Sequence, residues 1–219
     1  MTFLSMARKA LATFLLIVPL AASIKFSDLM QSSDYLTAFY VAGRMVLAGN
    51  ADKLYPAVGA SSLLVTPFNT FAHSVLAHMP AQIVAVYMYS PLIACIFVPF
   101  AMLPPEYSMF AWQLTSLAIL AISSALIASL FKKDAVELFF ISCLCCAVFQ
   151  TLLIGAIGIG IGLLPLAGGY YLLMRKQYFY AGLAFALLLL KLQFLPAALL
   201  LAGALTLLKR PACAIGLGS

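Results

Sequence analysis

Charge is scarce in this chain. Only 8% of its 219 residues are Asp, Glu, Lys or Arg, while 65% are hydrophobic; a soluble domain carries about 25% charged residues. That deficit excludes a soluble globule, because a domain of this size has too little interior to hide so much apolar surface. Histidine is nearly missing as well. His73 and His78 stand about 140° apart if they lie on one helix, so they do not share a face and no metal site follows. The five cysteines (Cys95, Cys143, Cys145, Cys146 and Cys213) lie in apolar surroundings without metal-ligand spacing. They read as small hydrophobes and say nothing of redox compartment. Ser-His-Asp, Walker and HExxH patterns are absent, and so is the period-2 alternation of a membrane barrel.

What is present is a series of long unbroken apolar runs, the signature of transmembrane helices, whose backbone groups are satisfied within each segment. The expectation is an all-α integral membrane protein. The net charge of +6 comes from basic residues scattered in ones and twos. Arg8 and Lys9, Lys132 and Lys133, Arg175 and Lys176, and Lys209 and Arg210 each sit at the edge of an apolar run. Topology-setting charges are placed this way, and a nucleic-acid surface is not.

The chain divides into four parts. Residues 1–24 form a first transmembrane helix or a signal peptide, since Leu20-Ala21-Ala22-Ser23 is similar to a signal-peptidase site. Residues 25–85 form a large outer loop holding three of the six acids, Asp28, Asp34 and Asp52. Within it Ser32 and Ser33 offer N-caps, and Leu36, Phe39, Tyr40, Gly43, Val46 and Leu47 recur at helical spacing up to Gly49-Asn50. That pattern predicts an amphipathic helix over 34–48 lying on the membrane surface, with a similar piece over 67–79. Residues 86–208 form the transmembrane bundle, with spans expected at about 91–104, 109–131, 135–153, 154–174 and 178–208. The last is longer than the about 20 residues one span needs, and Lys191 and Pro196 within it predict two short helices meeting in a turn. Residues 209–219 are a tail.

Strict alternation from an inside N-terminus would put Lys132, Lys133, Arg175 and Lys176 outside, against the positive-inside rule. Following the charges instead puts those four inside and places Gln150 and Lys191 in outer turns. This preferred scheme requires the stretch 86–131 to cross an odd number of times, for instance with one broken or re-entrant piece around Pro91 to Pro105.

Two ionisable residues stand out. Lys191 is set among Leu187 to Leu190 and Leu192, where an ammonium is costly unless it faces a polar cavity or snorkels to the interface. Such a cation suits a lipid phosphate. Asp34 opens the predicted outer helix, where it is either a reactive carboxylate or an acid favoured by the helix dipole. Gly155, Gly158, Gly160 and Gly162 form a small-residue stripe of the kind that lets helices pack closely. Tyr35, Tyr40, Tyr55, Tyr87 and Tyr89 can stack on sugar rings or anchor at the interface.

The order of features resembles glycosyltransferase family 87, membrane enzymes of the GT-C fold. The resemblance begins at SDYLTAFYVAGRMVLAGNADKLYP (33–56) and continues at YSPLIACIFVPFAMLP (89–104), FQTLLIGAIGIGIGLL (149–164) and YAGLAFALLLLKLQFLPAALLL (180–201). Ser90, Phe149 and Leu192 depart from the family pattern, which has proline, glycine and proline at those places. Family members are about twice this length by the size needed for about ten spans, so the resemblance is to an N-terminal half.

The resemblance implies a multi-spanning helical bundle of GT-C type in the plasma membrane, with amphipathic surface helices on its first outer loop. It implies transfer, with inversion, of a mannosyl- or arabinosyl-like sugar from a polyprenyl-phosphate donor to a glycan or glycolipid acceptor on the outer face. Asp34 then maps to the catalytic base and Lys191 to the donor phosphate, both at the outer side, with Tyr35, Tyr89 and Gln150 as substrate-binding candidates. Membrane lipids are the remaining partners; nothing indicates a cofactor, and a divalent metal is left open. A non-enzymatic transport or assembly subunit, and an inactive truncated fragment, are the alternatives.

Overall fold

A computed structural model describes residues 3–57 and 62–207; the 209–219 tail, with Lys209 and Arg210, lies outside them. The described residues contain helices and no strand. Among the described residues two helices are long and apolar enough to cross a membrane, Ser5–Lys25 and Pro105–Phe131, and the bent pair Ala135–Cys143 and Cys146–Ile154 raises the number to three if it counts as one span. The chain falls into two compact units: Leu16–Thr115 with Gln150–Ala156, and Met1–Leu15 with Ser116–Phe149 and Ile157–Ser219.

In the first of these units the helix expected over 34–48 forms as a π-helical turn, Tyr35–Tyr40, running into an α-helix, Val41–Leu47. It is not amphipathic. Tyr35, Leu36, Ala38, Phe39, Tyr40, Val41, Ala42, Gly43 and Met45 are all buried, so protein rather than lipid surrounds most of its circumference. Gly43 makes this possible. A Cβ there would stand 2.8 Å from Ala101 Cβ and 2.9 Å from the Phe97 carbonyl oxygen, so only glycine admits the neighbouring backbone this closely.

The 67–79 piece becomes the helix Pro67–Val75, with Thr66 accepting the Asn69 N–H and Pro67 in the first turn, where its missing N–H is harmless. Asn69 then ties two loops to it, donating to the Leu64 carbonyl at 2.9 Å and accepting the Ala85 N–H at 2.8 Å. Where a span was expected over 91–104 there are two short helices, Pro91–Ile96 and Val98–Ala101. Neither can cross a bilayer, in keeping with a broken piece there.

In the other unit Arg8 pairs with Glu137 at 3.4 Å, tying the start of the first helix to Ala135–Cys143. The expected straight span over 135–153 is instead bent by 72°. The bend has a local cause: the N–H groups of Leu144 and Cys145 turn to the carbonyls of Ile141 and Ser142, three residues back, and the Ser142 hydroxyl also donates to the Leu138 carbonyl. The next expected boundary also moves. Gly155, at φ +70°, ends Cys146–Ile154, and the following helix runs Ile159–Met174 and packs on Tyr178–Leu190. Lys191 has an extended backbone between two short 3₁₀ turns. The expected break is therefore at Lys191, while Pro196 sits in the first turn of Leu195–Leu207.

Candidate active site

Asp34 is half-buried at the start of the Tyr35–Leu47 helix. Its backbone is already helical and its side chain makes no capping hydrogen bond to the helix. Ser33 takes that duty, accepting the Leu36 N–H on Oγ at 3.4 Å and the Thr37 N–H on its carbonyl at 3.0 Å.

Tyr35, the next residue, was a substrate-binding candidate, but it is 0% exposed and offers a substrate no surface. Its hydroxyl bonds Ser108 Oγ at 2.7 Å. Its ring stacks on Trp112, with centroids 6.1 Å apart, and meets the edge of Phe97 at 5.7 Å. Behind it lies Gly155, where any Cβ would collide with Tyr35 Cβ, and the Gly155 carbonyl accepts the Trp112 indole N–H at 2.8 Å. Tyr35 is thus a rigid peg that fixes the residue before it. The sequence held one signal for this arrangement, since Trp112 is the single tryptophan of the chain.

Tyr89 stays half-buried and packs on Phe39 with ring centres 4.7 Å apart and on Tyr87 at 5.8 Å. Burial pushes its phenol above the ordinary tyrosine value, and the Asp34 carboxylate pushes it the same way. The Tyr89 phenol therefore keeps its proton. Tyr87 lies deeper, donates to the Ser90 carbonyl at 2.7 Å and is likewise held protonated by burial. Asp34, Tyr35 and Tyr89 all belong to one unit, where Phe39 of the helix that follows Asp34 packs on Tyr89. Gln150 belongs to the same unit, and its side chain is exposed.

Lys191 belongs to the other unit. It is half-buried, with Nζ 6.0 Å from the centre of the Phe194 ring. That ring occupies the space over Gly162, where a Cβ would stand 2.7 Å from Phe194 Cζ. Two glycines of the stripe thus leave no room for a Cβ, Gly155 against Tyr35 and Gly162 against the aromatic beside Lys191. A feature not read from the sequence is a 430 Å³ cavity lined by Tyr40, Arg44, Ser74 and Leu103, among others. Arg44 donates there to the Ala101 carbonyl at 3.4 Å. Among the described residues no group of His, Cys, Asp and Glu is placed to hold a metal ion.

A family model for glycosyltransferase family 87 matches residues 87–218. The chain belongs to that family. Membership makes this family 87 protein a membrane glycosyltransferase, acting on a sugar donor and an acceptor. The match takes in Tyr89, Gln150 and Lys191 and begins after Asp34 and Tyr35. No curated protein and no solved structure matches this family 87 chain.

Proposed function

We propose that this chain transfers a mannosyl- or arabinosyl-like sugar from a polyprenyl-phosphate donor to a glycan or glycolipid acceptor on the outer face of the plasma membrane, with Asp34 as the base. The observation that carries the reading is the place of Asp34: half-buried at the start of a buried helix whose next residue, Tyr35, is locked by Ser108, Trp112 and Phe97. The acceptor hydroxyl gives its proton to the Asp34 carboxylate while its oxygen bonds the anomeric carbon. The bond from that carbon to the phosphate oxygen breaks on the opposite face, which inverts the centre. Polyprenyl phosphate leaves as an anion and needs no general acid, so one carboxylate is enough. Lys191 supplies the positive charge that stabilises the departing phosphate. Tyr89 and Gln150 present a phenol and an amide to the sugar or the acceptor, and Tyr35 acts only by positioning Asp34.

The test is to reconstitute the purified chain in vesicles with labelled mannosyl- and arabinosyl-phosphate polyprenols and a lipid extract as acceptor source. Acceptor-dependent release of polyprenyl phosphate, matched by label in the glycan or glycolipid fraction, is the expected result. Release of neither from any donor would count against a polyprenyl-phosphate donor.

A further inference from the structure

The unit containing Ser116–Phe149 and Ile157–Ser219 holds an apolar groove of about 460 Å³ between the Pro105–Phe131 and Ile159–Met174 helices. Ile127, Leu130, Phe131, Leu166, Tyr170 and Met174 line it. Each helix gives the groove its final residue, Phe131 and Met174, and each is followed at once by two cations, Lys132-Lys133 and Arg175-Lys176, all four exposed.

The way these helices end is unusual. Lys132 and Lys176 sit at φ +52° and +62°, the left-handed position where helices ordinarily use glycine. The Lys133 and Gln177 N–H groups close the turns on the Ala128 and Leu172 carbonyls, each at 3.0 Å. Compensation of the helix dipole and the topology-setting role account for cations at each C-terminus; neither accounts for lysine in place of glycine at the left-handed position. The nearby acids are engaged elsewhere. Asp134 accepts the Val136 and Glu137 N–H groups, and Glu137 pairs with Arg8.

We infer that this groove is a binding site for an anionic glycerophospholipid, with acyl chain in the apolar channel and phosphate against the two basic pairs. Paired cations flanking an apolar groove between helices match the phosphate and tail of such a lipid. Basic residues of this kind mark the cytoplasmic side, whereas the donor is used at the outer face under the reading above, so the occupant is a bilayer lipid and not the donor.

The experiment uses the full chain purified in detergent and mixed with phosphatidylglycerol, phosphatidylcholine or a polyprenyl phosphate, with bound lipid counted by native mass spectrometry. Phosphatidylglycerol is expected to be retained over phosphatidylcholine, and the preference to fall about tenfold or more in the K132Q/K133Q/R175Q/K176Q variant. Leu166→Trp, which fills the groove without altering charge, should lower retention of phosphatidylglycerol. The unmutated chain gives an independent arm, because its preference should shrink as salt rises. Equal retention of the two phospholipids, a preference untouched by the charge variant or by salt, or stronger retention of the polyprenyl phosphate would overturn the inference.

Discussion

Replacing Gly155 by alanine tests the packing that holds Asp34 in place. Two costs combine at this position. The backbone stands at φ +70°, which disfavours an L side chain by about 1–2 kcal/mol. The new methyl would also collide with Tyr35 Cβ and stand 3.1 Å from Cγ, an overpacking worth about 1–3 kcal/mol. Stiffening of the unfolded chain returns about 0.4–1 kcal/mol, leaving a net loss of about 2–4 kcal/mol.

Other glycines separate the two costs. Gly49 has nearly the same backbone, φ +72°, and nothing within 4 Å of a built Cβ, so Gly49→Ala should cost about 1 kcal/mol. Gly168 is helical with open space around it, and its alanine variant should be neutral or stabilising by up to about 1 kcal/mol. Thermal unfolding in detergent ranks the three. Trp112 fluorescence adds a local reading, because its ring stacks on Tyr35: emission should shift in Gly155→Ala and stay fixed in Gly49→Ala. Equal stability and equal emission for those two variants would refute the account of Gly155 as the seat of Tyr35.

Three further outcomes are expected. Tyr35→Phe strands the fully buried Ser108 hydroxyl and should cost about 1–3 kcal/mol, most of it recovered when Ser108→Ala is added; no recovery in the double variant's unfolding curve would contradict the pairing. Tyr87 and Tyr89 have raised phenol pKa values, chiefly through burial, so their contribution to stability is complete below the unfolded value near about 10 and is lost as pH climbs above it; unfolding midpoints measured from neutral to strongly alkaline pH should fall there, less steeply after Tyr87→Phe and Tyr89→Phe, and an unchanged slope would count against it. Lys191→Gln should lower sugar transfer about a hundredfold with Lys191→Arg partly restoring it, whereas equal loss in both variants would point to a packing role on Phe194.

Much of the architecture was legible because apolar runs and their punctuation are physical signals. Lys191 interrupts a run of leucines, and the chain does break there. The helix after Asp34 was visible in its spacing, but its burial was not. Gly43 lay in the apolar stripe, but spacing could not show that Ala101 and Phe97 would close over it, where a lipid surface was expected. The 72° bend within Ala135–Cys143 and Cys146–Ile154 was also hidden. It arises from two backbone hydrogen bonds that no proline or glycine announces. At the site, Asp34 and Tyr89 were nameable from residue type and order, and the packing of Phe39, on the Asp34 helix, against Tyr89 was not, since it joins distant parts of the chain.

The most direct measurement of the central claim is sugar transfer by Asp34→Asn in reconstituted vesicles, with protein amount held equal across variants. The amide keeps the size of the side chain and cannot accept the proton, so transfer should fall about a hundredfold to ten-thousandfold. Asp28→Asn and Asp52→Asn should match the unmutated protein, because neither residue opens the buried helix. Asp34→Asn transferring sugar at the unmutated rate would contradict its assignment as the base.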